Sequence, residues 1–305
     1  MAPSSGTPGE VEVEGRRLVL SNLDKVFWPQ VGFTKGDMIG YYRSVAPALL
    51  PHLRGRALTL RRSPDGVEGW YWFQNRCPHP PPWMRTEAIL SSSTPEKVFR
   101  YCVVDDLASL LWVANLASIE LHPLLSSPAR PAQPSALVFD LDPGPPAHLL
   151  DCCRVALRLR HLLGNLGLAS FAKTSGASGL HVYVPLNKPH AFEDVKPFAR
   201  RMARVLMDEC PQLVVDRPGR SVRRGKVLVD WSQNNSARSM VAAYSLRATQ
   251  VPSVSTPVGW PEVEQAVKAG DSGLLRFGPA QVLQRVGRLG EIFRPVLELK
   301  QQISR

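Results

Sequence analysis

The chain has 305 residues, 44% hydrophobic and 21% charged, which suits a globular protein with ample length for a buried core. Its 37 Lys and Arg against 26 Asp and Glu leave a charge of +11, so a polyanion is the expected partner, nucleic acid ahead of an anionic membrane surface. No apolar run nears the roughly 20 residues of a membrane span and no signal-peptide core stands out, while five cysteines without a CxxC pair fit neither a zinc site nor a disulfide framework, an expectation that suits a reducing cytoplasm.

Basic residues cluster at 54–62, 154–161, 200–204 and 217–226. In chain order, residues 1–10 lack apolar periodicity and read as a mobile tail. Residues 11–19 alternate as a strand. Thr34 followed by Asp37 makes a capping box, opening an amphipathic helix with Met38, Tyr41, Tyr42 and Val45 on its apolar face. Lys25 and Lys35 flank that helix start, where backbone amides and the dipole favour an anion; by spacing alone, ordinary surface lysines suit better. Residues 57–62 and 69–74 read as a hairpin. Its second arm sets Trp70, Tyr71, Trp72 and Phe73 beside Arg61, Arg62 and Arg76. At least half of these aromatics are expected in the core, and the rest suit base stacking along a phosphate track. Pro95 and Glu96 predict a helix through Val98, Cys102, Leu107 and Leu111 to about Leu116.

A strand over 118–121 ends at His122, and a Pro-rich linker over 128–134 separates an N-terminal lobe, 11–134, from a second lobe, 135–305. Residues 136–144 open that lobe as Ala-Leu-Val-Phe-Asp-Leu-Asp-Pro-Gly, a strand stopped by a turn. Alternation puts Asp140 and Asp142 on one face. Adjacent carboxylates repel unless a cation lies between them, and a hard divalent ion is the usual answer. A helix over 149–163 follows, then a strand, a Gly/Ser turn and a second strand opening with His181, and a third helix over 193–209. Residues 227–231 and 240–247 are further strands, the first with Asp230, and 278–303 form basic packing helices. If the strands of Asp140 and Asp142, His181 and Asp230 are neighbours, three carboxylates converge as in two-metal nucleotidyl transfer. Lys173, Ser175, the amides from Gly176 to Gly179, His181 and Arg247 would then cradle a triphosphate; the P-loop pattern is absent.

These stretches resemble a known family. The 136–144 run, Lys-Thr-Ser-Gly-x-x-Gly-Leu-His-Val at 173–182 and Val-Asp-Trp-Ser-Gln-Asn at 229–234 resemble the three catalytic motifs of the archaeo-eukaryotic primase superfamily. More narrowly they are similar to the bacterial polymerase domain of ligase D and its stand-alone relatives. Residues 21–26, 50–56, 119–122 and 243–247 match as well, so the resemblance runs from about 17 to 299. It implies an α/β (α+β), two-lobed primase-polymerase fold with an RRM-like antiparallel catalytic sheet flanked by helices and an N-terminal α/β module. The implied activity is DNA-dependent addition of ribo- or deoxyribonucleotides to a 3′-hydroxyl on gapped or broken DNA, with two Mn²⁺ or Mg²⁺ ions.

By the same resemblance Asp140, Asp142 and Asp230 would be catalytic metal ligands. Ser175, His181 and Arg247 would bind the triphosphate, His122 would sit near the sugar and Phe73 would stack on a base. Asn22, Lys25 and Lys35 would hold a downstream 5′-phosphate. The chain departs from the family pattern at Ala177-Ser178, where a lysine or similar polar residue is common, and at Trp72-Phe73-Gln74-Asn75, where a Phe-Phe-Glu-Lys-like run is common. Both changes remove potential positive charge near the substrate. Without ligase or nuclease motifs, the expected setting is a monomer in the cytoplasm at the nucleoid, working with a separate DNA ligase and Ku and with no membrane. A non-catalytic module bridging DNA ends would keep the lysines but would not need all three aspartates, and a sugar-nucleotide transferase would not need the basic surface.

Overall fold

The strand Ala136–Pro143 is apolar on both faces until its C-terminal end. Leu137, Phe139 and Leu141 enter one core, Ala136 and Val138 another, as the two-residue repeat of a strand requires. Asp140 and Asp142 continue the second face beyond its apolar part. This strand is central in a six-stranded sheet ordered Val214–Val215, Val227–Asp230, Ala136–Pro143, Leu180–Pro185, Phe171–Thr174, Pro257–Val258. All pairings in it are antiparallel except Val214–Val215 with Val227–Asp230. Helices Leu149–Asn165 and Phe192–Glu209 bury Val155, Leu159, Val195 and Phe198 in the core on its covered face. The computed structural model describes residues 9–90 and 97–303.

A second, five-stranded sheet is built on Ala57–Arg62. Ser118–Pro123 lies along one edge; the other is shared by Val98–Val103 at one end and Trp72–Gln74 at the other, and Thr86–Leu90 completes the sheet. Helix Lys35–Leu53 packs over it, opened by the expected capping box of Thr34 and Asp37. Its core also takes in Tyr183, Met240, Ala242, Tyr244, Leu246 and Val282 from the second half of the sequence. The architecture is mixed α/β with helices over the sheets, as expected.

Several local expectations change. Residues 11–19 are not one strand but parts of two, Gly9–Val13 and Arg16–Leu20. They turn at Glu14-Gly15, both at positive φ, so Gly9 and Glu10 are ladder residues, while residues 1–8 lie outside the described part. The helix predicted from Pro95 is the strand Val98–Val103 followed by the helix Leu107–Asn115. Asp106 caps that helix through the Ser109 amide and so sets its start, and Pro95 and Glu96 lie outside the described residues. Of the strand expected over 240–247 only Leu246–Arg247 is regular; Tyr244, at φ 67, breaks the extended run.

The cysteine expectation is overturned at one pair: Cys77 and Cys102 are disulfide-bonded, and Cys152, Cys153 and Cys210 are free. Sequence spacing hides this pair because both residues lie on one edge of Ala57–Arg62, where the Cys77 amide donates to Arg100 O at 2.6 Å. The bond closes a loop of sequence separation 25. Reduction is therefore expected to raise the thiol titre of unfolded protein from three to five and to remove about 2–4 kcal/mol of stability. Five thiols without reductant, or an unchanged melting curve with it, would contradict this. No helix among the described residues is long and apolar enough to cross a membrane.

Candidate active site

Strand register decides which charged groups meet. Asp140 is the Cα partner of Asp230 on one neighbouring strand and of His181 on the other, and Lys173 is in turn opposite His181. The Asp140, His181, Asp230 and Lys173 side chains therefore occupy one row across four strands, with Asp142 two residues along. His181 Nε2 lies 3.3 Å from Asp140 Oδ1, and its Nδ1 accepts from Lys173 Nζ at 2.9 Å. With Nδ1 accepting, the ring proton is on Nε2 and points at Asp140. Burial, with the nearby Lys173 charge, pushes the His181 pKa down to about 4, so the ring is neutral at pH 7.

Each carboxylate has found its own local partner. Asp142 is gripped by Arg223 at 2.5 Å, and Asp230 accepts from Ser232 Oγ and Gln233 Nε2. Burial pushes the Asp142 pKa up, with Arg223 opposing and the Asp140 and Asp230 charges adding to the rise. Asp140 feels burial most, but the charge and hydrogen bond of His181, with Lys173 and Arg247, bring its pKa down. Among the described residues no group of three His, Cys, Asp or Glu side chains is placed to hold a metal ion as the side chains stand. The backbones meet as expected while the side chains turn aside, because neighbouring anions repel and each takes the nearest donor. The donor set itself, three carboxylates on adjoining positions of one sheet face, fits a hard divalent cation that keeps places open for substrate oxygens.

The Ser-Gly turn is tightly built. Ser175 Oγ accepts from the Ala177 and Gly179 amides, so those amides already have a partner, which corrects the expectation of an open backbone cradle. A Cβ on Gly179 would stand 2.3 Å from Leu141 O, and one on Gly176, at φ 75, 2.7 Å from Ser255 N. Glycine is needed at both because the turn presses against the Asp140 strand and the Val254-Ser255 backbone. Arg247 reaches the same turn, donating to Ser175 O at 2.9 Å. Lys173 does not line the site: it has no exposed surface and is spent on His181 and Ser255. The correction follows from register, since opposite His181 its side chain runs beneath the ring.

A second hub lies across the cleft. Glu120, 4% exposed, accepts from His122 Nε2 at 2.9 Å, Arg61 at 3.1 Å and the Ala248 amide, and pairs with Arg247 Nε at 3.2 Å. Burial alone would raise its pKa, but the His122 hydrogen bond and the Arg247 charge hold it well below the usual carboxylate range. His122 meets Phe73 edge-on at 5.6 Å, so Phe73, His122, Glu120, Arg247 and Ser175 form a continuous chain of contacts towards the Ser-Gly turn. None of the four aromatics from Trp70 to Phe73 is buried, contrary to the expectation of a half-core cluster; Phe73 is 56% exposed. Trp72 and Phe73 sit on the three-residue edge strand Trp72–Gln74, where one side has no neighbour to cover it, and Trp70 and Tyr71 lie in the segment just before it.

The third group lies by the helix start. Lys35, 4% exposed, donates to Ser21 O and Asn115 Oδ1. Lys25 pairs with Asp65 at 2.6 Å, and Asn22, at φ 54, turns the loop between them. The Lys35 and Gly36 amides are taken by Lys25 O and Leu23 O, so side chains rather than free helix amides define this patch. Burial, then the charges of Lys25 and Arg62, push the Lys35 pKa down to about 8. Glu120, Arg223 and Asn115 are absent from the site read from the sequence, and Arg62 entered it only as a neighbour of the aromatics. Glu120 had a usable signal, its i, i+2 spacing to His122; Arg223 was hidden in a basic run.

The family described as LigD, primase-polymerase domain, matches residues 34–293. The chain belongs to this family. It is 35% identical over 286 residues to the multifunctional non-homologous end joining DNA repair protein LigD of Mycobacterium tuberculosis, covering 91% of this chain and 36% of that protein. Against the bifunctional non-homologous end joining protein LigD of Bacillus subtilis it is 30% identical over 254 residues, covering 82% of this chain and 40% of that protein. The chain thus spans little more than a third of these relatives. The fold matches the polymerase domain of Mycobacterium tuberculosis ligase D, in complex with DNA, at a TM-score of 0.85 and 32% identity, covering 93% of this chain and 99% of that one. LigD primase-polymerase domains are nucleotidyltransferases that use divalent metals.

Proposed function

We propose that this LigD-type primase-polymerase domain adds ribo- or deoxyribonucleotides to a 3′-hydroxyl on gapped or broken DNA in end joining or gap repair. The observation that carries the reading is the register that puts Asp140 opposite both Asp230 and His181. Two Mn²⁺ or Mg²⁺ ions held by Asp140, Asp142 and Asp230 would activate the 3′-hydroxyl and neutralise charge on the transferring phosphate. The protein's own groups orient the reactants. His181, neutral and backed by Lys173, fixes the Asp140 carboxylate through Nε2–H. Arg247, held by Glu120 and the Ser175 carbonyl, presents a cation where a triphosphate would lie against the Ser-Gly turn. Phe73 offers an exposed ring for a base, and His122 lines the sugar side beside it. Residues 11–134 serve as the lobe with the 5′-phosphate pocket and 135–305 as the catalytic lobe of a cytoplasmic, nucleoid-associated monomer that works with a separate ligase and Ku.

Extension of a labelled primer on a 5′-phosphorylated gapped template, with Mn²⁺ and either ribo- or deoxyribonucleotides, tests the reading. Metal-dependent addition supports it; salt-sensitive binding without addition would favour the end-bridging module.

Asn22, Lys25 and Lys35 form the 5′-phosphate pocket in this reading, since an anion there relieves the mutual repulsion of Lys35, Lys25 and Arg62. Lys25→Ala is expected to cut the preference for phosphorylated over unphosphorylated gaps about tenfold, the worth of one charge-assisted hydrogen bond. Burial and like charges lower the Lys35 pKa, so its proton is present below about pH 8 and lost above it. The preference should accordingly shrink as pH rises through about 8. Equal affinity of the parent protein for both gaps, measured by fluorescence anisotropy, would remove the pocket from the proposal.

A further inference from the structure

Asn234 is wholly buried, and no step described above uses it. It closes the run Val-Asp-Trp-Ser-Gln-Asn, in which Ser232 and Gln233 hold the Asp230 carboxylate. Its own side chain reaches the strand Ala136–Pro143. Oδ1 accepts from the Val138 amide at 2.9 Å, and Nδ2 donates to Val138 O at 2.7 Å and to Trp231 O at 3.0 Å. A side-chain amide has one oxygen and two N–H groups, so every polar group of Asn234 is in use. The strand register shows what the contact replaces. Asp140 pairs with Asp230, Leu141 with Val229 and Asp142 with Leu228, so an unbroken ladder would next set Val138 opposite Ser232. The chain instead leaves the sheet in the turn Trp231–Gln233, directly after Asp230. Alternate residues of an antiparallel strand turn both backbone groups to the same neighbour, so Val138 presents its N–H and C=O where the lost pair would stand. The Asn234 amide fills that place. Ser232 and Gln233 fix how the Asp230 carboxylate is turned, while Asn234 fixes where its backbone stands relative to Asp140.

We propose that Asn234 is a positioning residue for the divalent-ion site: by clamping the turn after Asp230 to Val138 it sets the spacing of the Asp140 and Asp230 carboxylates, and with it the affinity for the metal. This rests on the metal-binding role that the polymerase reading gives those carboxylates. A small hard cation demands its oxygen ligands at fixed distances, so drift of one ligand strand weakens binding. Partners that orient ligands without touching the metal are typically worth about 10–100-fold in metal affinity or activity. Without the Asn234 amide both backbone groups of Val138 lose their partner, and the turn loses its tie to the strand two residues from Asp140.

The test is a double-mutant cycle on the full chain with Mn²⁺ alone, followed by the electron paramagnetic resonance signal of the free ion. Asn234→Ala and Asp230→Asn should each weaken Mn²⁺ binding about tenfold. Because Asn234 acts through Asp230, the double variant should bind no more weakly than Asp230→Asn by itself. Independent groups would instead multiply their losses, to about a hundredfold. Asn234→Gln keeps the donors and acceptor but moves them out by one methylene, so it should bind Mn²⁺ as weakly as Asn234→Ala, and it serves if the alanine variant does not fold. Val263→Ala, in the core of the sheet's covered face, should lower the melting temperature yet keep Mn²⁺ affinity within about twofold of the parent's. Multiplying losses, or parent-like affinity in the Asn234 variants, would overturn the proposal. An equal loss in Val263→Ala would do the same, since it would assign Asn234 to stability alone, and so would a parent that retains no Mn²⁺. A parent that adds no nucleotide but shows the coupled loss would leave the clamp standing and remove the polymerase reading. Nucleotide addition with multiplying losses would remove the clamp alone.

Discussion

Asp140→Ala is expected to lower nucleotide addition by at least about 10³-fold, as loss of a group that stabilises developing charge typically does, while DNA affinity stays within about twofold. The separation follows from geometry. Asp140 lies in the carboxylate row, paired across the sheet with Asp230 and facing His181, whereas the Lys25–Lys35 patch belongs to the other sheet's helix and its entry loop. Removing one anion from the row also relieves the repulsion felt by Asp142, so the fold should tolerate the change. Single-turnover extension with saturating nucleotide, beside anisotropy on the same DNA, measures both quantities. Parallel loss of binding and addition would contradict the division between the two sites.

The second large effect is expected at a residue outside the catalytic row. Glu120→Gln keeps the shape of the side chain but leaves Arg61 and Arg247 without their carboxylate. Arg61 is 8% exposed, and breaking a buried pair from one side costs about 3–5 kcal/mol. The sign with pH is definite: the Glu120 pKa is depressed in the folded state, so its stabilisation is complete above the ordinary value of 4.5 and fades as pH falls below it. At neutral pH the variant should already lack what the parent loses only in acid. Arg247 should loosen as well, raising KM for the nucleotide more than it lowers kcat. Denaturant unfolding at pH 7 and pH 4 checks the first claim: an equal midpoint at pH 7, or a gap that widens in acid, would refute it.

The strand Ala136–Pro143 shows how far periodicity reaches. Alternation put Asp140 and Asp142 on one face, and the short apolar run with Pro143-Gly144 ended the strand, because both depend only on nearest neighbours along the chain. The capping box at Thr34 and Asp37 was legible for the same reason. The motif order, matched across most of the chain, carried the family and with it the fold.

Other features had no local signature. Register decided that Lys173 lies under His181 instead of facing a ligand, since sliding a strand changes every cross-strand neighbour. The Cys77–Cys102 bond arose because two stretches 25 residues apart share one edge of Ala57–Arg62. Val98–Val103 is a strand, not a helix, because Ala57–Arg62 and Thr86–Leu90 offer it ladder partners on both sides, and such pairing overrides local propensity. Glu120 became a hub only when Arg61, His122, Arg247 and Ala248 were brought round it from three separate segments. By itself the sequence determined the residue types of the site, their strand faces and the family. The tertiary structure alone decided which charges neutralise one another, because that depends on distances across strands whose pairing no short stretch encodes.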